Sequence, residues 1–273
     1  MNKEIKGTIK VISPLHTGSD VNAGIDRLYR RMDIFVNNKI EQIPIISGNS
    51  IRGIMRDLIA VDLIEKLKLK NLQLSVYDLL FSGGSLQKGS KTGVIDVLKV
   101  NKIRYLFPML ALFGGCLSNH IMQGEFNCGY AWLVCQETNN ITGLKNKSSY
   151  IDFLGEDFGT RQDNVLQDID KINAKEFKVR KQPIQMKYNY EVIIPGAKFV
   201  QEFQVNTIDK ITESAFTKTL ELFINYSFLG ARSSSGFGKV DLDYDLSKLE
   251  KSKLYDDFII ANQKDIIDEL QTL

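Results

Sequence analysis

Glycines, serines and cations are concentrated between residues 230 and 239. Glycine allows the backbone to approach a ligand closely, whereas serine hydroxyls, free amide N–H groups and cations bind phosphate oxygens. The spacing matches neither the dinucleotide-binding fingerprint nor the P-loop. The segment therefore predicts an anion-binding loop, and a purely structural turn is the alternative. The residues predicted to contact the anion are Gly230, Arg232, Ser233, Ser234, Ser235, Gly236 and Lys239.

A second cluster of the same kind stands at the start of a predicted helix. Apolar residues follow it at helical spacing, and Arg52 and Arg56 share another face of that helix. The unpaired amides of a first helical turn, with an arginine beside them, form a natural phosphate site. The alternative is an ordinary capped surface helix with two solvated arginines. The candidate residues are Ser47, Gly48, Asn49, Ser50, Arg52 and Arg56.

Composition places the chain among ordinary globular proteins. It has 273 residues, of which 43% are hydrophobic, and it contains no apolar run long enough to span a membrane and no signal-peptide pattern. We therefore expect a cytoplasmic protein that does not bind membranes. The three cysteines and two histidines are too widely spaced to predict disulfides or a zinc site. Residues 1–240 carry 31 bases and 24 acids, whereas residues 241–273 are acidic, which is compatible with a nucleic-acid-binding body.

Hydrophobic periodicity predicts an α+β fold and not a doubly wound sheet. Residues 15–31 are rich in glycine and polar residues, and they predict a loop. Strands or hairpins are predicted at 4–13, 32–46, 126–135, 185–205 and 239–244, and helices at 47–59, 107–113 and 211–228.

Several motifs, in their order along the chain, resemble those of the RAMP superfamily. The motifs are PLHTG at 14–18, IPIISGNSIRGIMR at 43–56, LGARS at 229–233 and GFG at 236–238. Within that superfamily the chain is most similar to the backbone subunit that polymerises along guide RNA in class 1 CRISPR effector complexes. The supporting motifs LFSGG at 80–84, LFGG at 112–115 and QMKY at 185–188 are more similar to type IV than to type III backbone subunits.

The resemblance implies a ferredoxin-like palm, similar to an RNA-recognition motif, with an inserted thumb or finger subdomain. Residues 1–136 and 183–245 would form the palm, with a thumb hairpin near 185–205 that offers Met186, Tyr188 or Tyr190 for stacking. Residues 137–182 lie outside the resemblance, and their polar composition and lack of strong periodicity predict an inserted subdomain or mobile arm. Residues 246–273 are predicted to form an acidic helical segment.

The resemblance also implies a function, which is to bind CRISPR guide RNA through its phosphates and present it for target pairing. The implied partners are the guide RNA, target DNA or RNA paired with it, further copies of the chain in a helical array, and other effector subunits. His16 joins the two clusters above as an RNA-binding candidate. No cofactor is implied.

Three alternatives remain. In type III relatives an aspartate after the first strand takes part in cutting the target RNA, and the matching residue is Asp26. Only in that case would a divalent metal be implied. Since Arg27, Arg30 and Arg31 follow, Asp26 could instead pair with one of them. His16 could serve a CRISPR RNA processing endoribonuclease as an acid or base, and a module that binds no nucleic acid is the last alternative.

Overall fold

A computed structural model describes residues 2–23, 26–84, 97–117, 120–162 and 185–272. Mainly antiparallel sheets pack against helices, which confirms the α+β prediction. Within these ranges, none of the helices combines the length and the apolar composition needed to cross a bilayer.

The strands and helices have the following bounds. The strands are β1 (Asn2–Val11), β2 (Gly18–Ala23), β3 (Asp26–Tyr29), β4 (Arg31–Val36), β5 (Lys39–Ile46), β6 (Gly115–Leu117), β7 (His120–Met122), β8 (Phe126–Cys128), β9 (Ala131–Leu133), β10 (Leu154–Gln162), β11 (Gln185–Ile193), β12 (Lys198–Asn206) and β13 (Val240–Tyr244). The helices are α1 (Gly48–Leu67), α2 (Leu74–Phe81), α3 (Val97–Leu106), α4 (Pro108–Phe113), α5 (Asn139–Thr142), α6 (Lys210–Tyr226), α7 (Lys253–Ala261) and α8 (Gln263–Leu270).

The central sheet is antiparallel and has the order β13-β1-β12-β9-β5-β4, with β8 also paired to β12. Alternate residues of β1, such as Ile5 and Ile9, are buried, as expected for a strand with one face on a core. Helices α1 and α6 contact each other, and their apolar side chains join those of the sheet in one hydrophobic core. One predicted anion-binding cluster lies at the start of α1, and the other follows the end of α6.

The predicted hairpin at 32–46 is confirmed as β4 and β5. Asn37 and Asn38 have φ of 51° and 62°, the left-handed conformation that asparagine tolerates in tight turns. The short helix ending at Gly114 is also confirmed as α4, and that glycine has φ of 70°. Both features are determined by residues that are adjacent in the sequence, and the sequence alone therefore predicted them.

Two predictions were wrong, and both concern a second sheet with the order β10-β11-β3-β2. Residues 15–31 are not a loop, because they contain β2 and β3, and β3 pairs in parallel with β11. Residues 185–205 are not a hairpin, because β11 pairs with β10 while β12 pairs with β1. The turn around Gly196, with φ of 94°, passes the chain from the second sheet to the central one.

The segment predicted as an insertion or mobile arm is partly described. Residues 136–153 contain short helical turns fixed by side-chain hydrogen bonds, among them Glu137 with Ser149 and Asn139 with Asn146. Strand β10 follows and extends the second sheet. Residues 163–184 lie outside the described residues.

The acidic C-terminal segment packs as α7 and α8 on the helical side of the molecule. Tyr255 is fully buried there, and its backbone N–H donates to Ser214 Oγ of α6 at 2.8 Å. Asp256 pairs with Lys66 and Lys218, and Glu269 pairs with Lys102. The segment therefore neutralises lysines of the helical layer.

Candidate nucleic-acid interface

The loop between α6 and β13 is tied to the segment that follows β1. Gly238 N–H donates to Pro14 O and Ala231 N–H donates to His16 O, both at 2.9 Å. Leu229 N–H donates to Gly238 O at 2.9 Å and closes the base of the loop. These backbone hydrogen bonds therefore hold the loop in a defined conformation against the N-terminal segment.

The three glycines of this loop have different roles. All have positive φ: 77° at Gly230, 87° at Gly236 and 78° at Gly238. A Cβ atom at Gly230 would lie less than 3.0 Å from His16 O, and one at Gly238 would lie equally close to Leu229 O. At Gly236 no atom lies within 4 Å of that position. Two of the glycines are thus needed for protein packing, and only Gly236 borders open space.

The polar groups of the loop divide into an exposed set and a stacked arginine. Ser233–Ser235 form an exposed 3₁₀ turn, and Lys239 is exposed beside it. The guanidinium carbon of Arg232 lies 4.2 Å from the ring centre of Tyr190 and 5.0 Å from that of Phe237. Its Nη1 is buried and has no hydrogen-bond partner among the described residues. Arg232 therefore fastens the loop to β11, while the serines and Lys239 face solvent.

His16 is almost completely buried, with 4% of its surface exposed. Its Nδ1 lies 2.7 Å from the backbone oxygen of Glu191, and a carbonyl oxygen only accepts, so Nδ1 carries the proton. The imidazole ring packs edge-on against Tyr29 and Tyr190. This packing leaves Nε2 as the nitrogen available to a ligand.

Glu191, which the sequence did not single out, organises this region. Its carboxylate accepts from Tyr29 N–H at 2.8 Å and pairs with Arg31. Its backbone oxygen accepts from His16. Glu191 thereby joins β11 to the N-terminal segment and to the start of β4. No local pattern marks it, because its partners are about 160 residues away.

Helix α1 begins at a buried position. Ser47 is the N-cap, but its hydroxyl makes no capping hydrogen bond. A Cβ atom at Gly48 would lie less than 3.0 Å from the backbone oxygens of Cys128 and Gly129. Asn49 and Ser50 are exposed. The helix start therefore packs on the β8–β9 turn and exposes its next two residues.

Arg52 and Arg56 bind the C-terminal end of α4. Arg52 donates to Phe113 O and Arg56 to Gly114 O, and both guanidinium groups lie within 5.6 Å of the Phe113 ring centre. Burial and the neighbouring Arg52 charge lower the pKa of Arg56 to about 10, so Arg56 remains charged at neutral pH. Arg56 is 6% exposed, and the alternative of a solvated arginine is wrong for this residue.

The N-terminal segment is hydrogen-bonded both to the loop and to the strand that leads into α1. His16 holds the loop, and the adjacent Thr17 Oγ1 donates to Ile45 O at 3.4 Å, two residues before the N-cap of α1. Asp26 lies instead in the second sheet, opposite Asn189. Among the described residues, no hydrogen bond or ion pair joins Asp26 to either cluster.

The described ranges contain no group of three histidine, cysteine or acidic side chains placed to hold a metal ion. Burial raises the pKa of Cys128 to about 12 and that of Cys135 to about 11, so both remain neutral thiols at physiological pH. Arg31, one of the three arginines considered as a partner of Asp26, pairs with Glu191. Cleavage at Asp26 and acid or base chemistry at His16 stay predictions.

Comparison with known proteins identifies the family. A model of the RAMP superfamily matches residues 8–241. The chain belongs to the RAMP superfamily. This RAMP protein is also similar in structure to a chain of a solved "Type IV-B CRISPR Complex", with a TM-score of 0.66 and 19% sequence identity. The match covers 90% of this chain and 92% of the other. A search of curated proteins found no match.

The packing at the start of α1 gives a prediction for this RAMP protein. Gly48→Ala should lower the free energy of unfolding by about 2 kcal/mol, because the new methyl group meets two backbone oxygens. Gly53→Ala is the matched control, since Gly53 lies in the same helix with nothing within 4 Å of its Cβ position. It should raise stability by about 0.5–1 kcal/mol. Urea unfolding of both variants is the measurement, and equal effects would contradict the packing argument.

Proposed function

We propose that this protein is a guide-RNA-binding backbone subunit of a class 1 CRISPR effector complex. The observation that carries the proposal is the convergence of two serine- and glycine-rich elements on the segment at residues 14–17. The exposed Ser233–Ser235 turn and Lys239 form one side, and the exposed Asn49 and Ser50 form the other. Hydroxyls, amides and a cation in this arrangement suit a continuous phosphate chain.

The topology supports the palm in this proposal. With β1, β9, β12 and β13 numbered by their order in the chain, the strand order is 4-1-3-2, and α1 and α6 are the two crossover helices. That order is the ferredoxin-like arrangement. Within residues 1–136 and 183–245, the central sheet with α1 and α6 forms the palm, and the second sheet, which includes β11, takes the place of the thumb hairpin expected at 185–205. The other two parts of the proposed domain division are the insertion at residues 137–182, which contributes β10 to the second sheet, and the acidic segment at residues 246–273.

The proposed phosphate contacts bind RNA without reading its sequence. Groups directed at phosphates give affinity that decreases steeply with salt, while base pairing by the guide supplies target specificity. Copies of the subunit would line up along the guide, and the guide would connect them to target nucleic acid and to the other effector subunits. The membership of the superfamily and the structural similarity to a chain of a type IV-B complex support this assignment.

RNA copurification tests the function. Protein purified at low salt should carry RNA, detected as a raised ratio of absorbance at 260 nm to that at 280 nm, and should elute as assemblies larger than a monomer. Ribonuclease or a high-salt wash should return both readings to those of a monomer, because the contacts are electrostatic. Nucleic-acid-free protein that elutes only as a monomer from low-salt extracts would contradict the proposal.

A further inference from the structure

A cleft of about 330 Å³ lies on the face of the central sheet opposite the main helical layer. Lys6 is exposed on this face, whereas its neighbours Ile5 and Gly7 are buried on the other. The residues that determine its chemistry are Lys6, Tyr130, Trp132, Val200, Glu202 and Gln204.

Two aromatic rings give the cleft its main surface. Tyr130 is 41% exposed, and Trp132 is partly exposed beside it, with ring centres 6.2 Å apart at an angle of 71°. Trp132 stands opposite Val200 in the sheet, so an apolar floor adjoins the indole ring. Exposed aromatic faces on a sheet are the usual surface on which unpaired bases stack.

The turn that carries Tyr130 is held rigidly. Gly129 N–H donates to Glu202 O at 2.9 Å, and buried Gln201 donates through Nε2 to Gly129 O at 3.3 Å. Tyr244 donates to Gln201 Oε1 at 3.0 Å and fixes that amide. The aromatic pair is therefore positioned before any ligand arrives, which reduces the entropy cost of binding.

Polar groups suited to a nucleotide surround the rings. Lys6 stands opposite Glu202 in the β1–β12 ladder, and Gln204 Nε2 donates to Glu202 Oε1 at 3.1 Å. The lysine is a partner for a phosphate, and the carboxylate is an acceptor for the exocyclic amine of a base.

The cleft adjoins the proposed phosphate site. Trp132 pairs with Ile45 in the β5–β9 ladder, two residues before the N-cap of α1. Gly48, at the start of that helix, packs on the backbone of Cys128 and Gly129, the two residues that precede Tyr130. The β8–β9 turn therefore connects the cleft to the start of α1.

We propose that this cleft is a stacking subsite for an unpaired base of single-stranded RNA, with Tyr130 and Trp132 as the stacking residues. The inference rests on the proposed RNA-binding function and adds to it a stacking contact with the face of a base. Lys6 binds the phosphate of that nucleotide, and Glu202 accepts from the base edge.

Intrinsic fluorescence tests the subsite directly, because Trp132 is the chain's one tryptophan. A short single-stranded oligoadenylate should quench its emission, whereas an abasic strand of the same length should bind without quenching. Tyr130→Ala should weaken oligoadenylate binding about tenfold, as measured by anisotropy of a labelled strand. Tyr105→Ala is the control, since Tyr105 is an exposed tyrosine of α3, and it should leave affinity unchanged. Thermal melting checks that both variants fold.

Other outcomes separate this inference from the proposed function. If the labelled strand binds while Trp132 emission and the affinity of Tyr130→Ala stay unchanged, the subsite is refuted and the RNA-binding function stands. If the strand does not bind at all, both fail. Quenching that increases with protein concentration in the absence of RNA would show that a second copy covers the cleft, and it would overturn the assignment to a base.

Discussion

Removing both cations of the loop should weaken RNA binding about tenfold or more and flatten its salt dependence. In the variant Arg232→Ala with Lys239→Ala, two positive groups are lost beside the exposed Ser233–Ser235 turn. Lys239 is the cation that faces solvent, so the loss of its phosphate contact should reduce the slope of log K against log salt by about 0.7. The loss of Arg232 acts instead through the contacts with Tyr190 and Phe237 that hold the loop on β11. Titrations of labelled single-stranded RNA at several salt concentrations give both quantities.

The control removes the same charge elsewhere. Lys253 and Lys264 are exposed lysines of α7 and α8, so Lys253→Ala with Lys264→Ala changes the net charge equally. This variant should bind RNA nearly as well as the wild type. If the two double variants lose affinity equally, the effect comes from overall charge, and the loop is not the contact.

Replacing Arg56 by methionine should destabilise the protein by about 3 kcal/mol. The side chain is buried, donates to Gly114 O and lies over Phe113, so methionine fills the space of its stem but leaves the carbonyl oxygen without a donor. Loss of a buried charge-assisted hydrogen bond costs about 1.5–3 kcal/mol, and the lost ring contact adds to it. Urea unfolding measures the change.

Arg52→Met is the matched comparison. Arg52 makes the same kind of contact, to Phe113 O, but it is only partly buried. Its loss should cost about 1 kcal/mol, because water can replace the donor. Equal losses of stability in the two variants would show that the deeper burial of Arg56 does not increase the cost of losing its hydrogen bond. A large loss of RNA affinity in a stably folded Arg56→Met variant would show that Arg56 itself contacts RNA.

The features that the sequence predicted correctly depend on short-range chemistry. The face of α1 was visible from residues such as Ile51 and Met55, and the β4–β5 turn from two asparagines. The prediction of a hairpin at 185–205 was wrong because a proline–glycine turn is compatible both with a strand that pairs with the preceding one and with a strand that enters another sheet. Strand β3 was missed because its partner β11 lies about 160 residues further on, and β2 was missed with it because β2 pairs with β3.

In the candidate site, too, short-range features were predicted and long-range contacts were not. The sequence identified both glycine- and serine-rich elements, yet it could not show that Gly230 and Gly238 are small to fit against protein backbone. It placed Arg52 and Arg56 together on one helix face, but their carbonyl partners lie at the C-terminal end of α4, 58 to 61 residues away. The outward alternation of Trp132 between buried Ala131 and Leu133 was a usable signal for the cleft.

The hydrogen bond from Lys239 N–H to Ser13 Oγ, at 2.9 Å, spans 226 residues of sequence. Since the loop packs on the segment after the first strand and on β11, it takes its final shape only after residues 228–239 have left the ribosome and reached these partners. Such a long-range closure is also slow relative to local folding. A nascent or truncated chain therefore lacks one side of the proposed groove, and only fully synthesised subunits would be able to join a growing ribonucleoprotein.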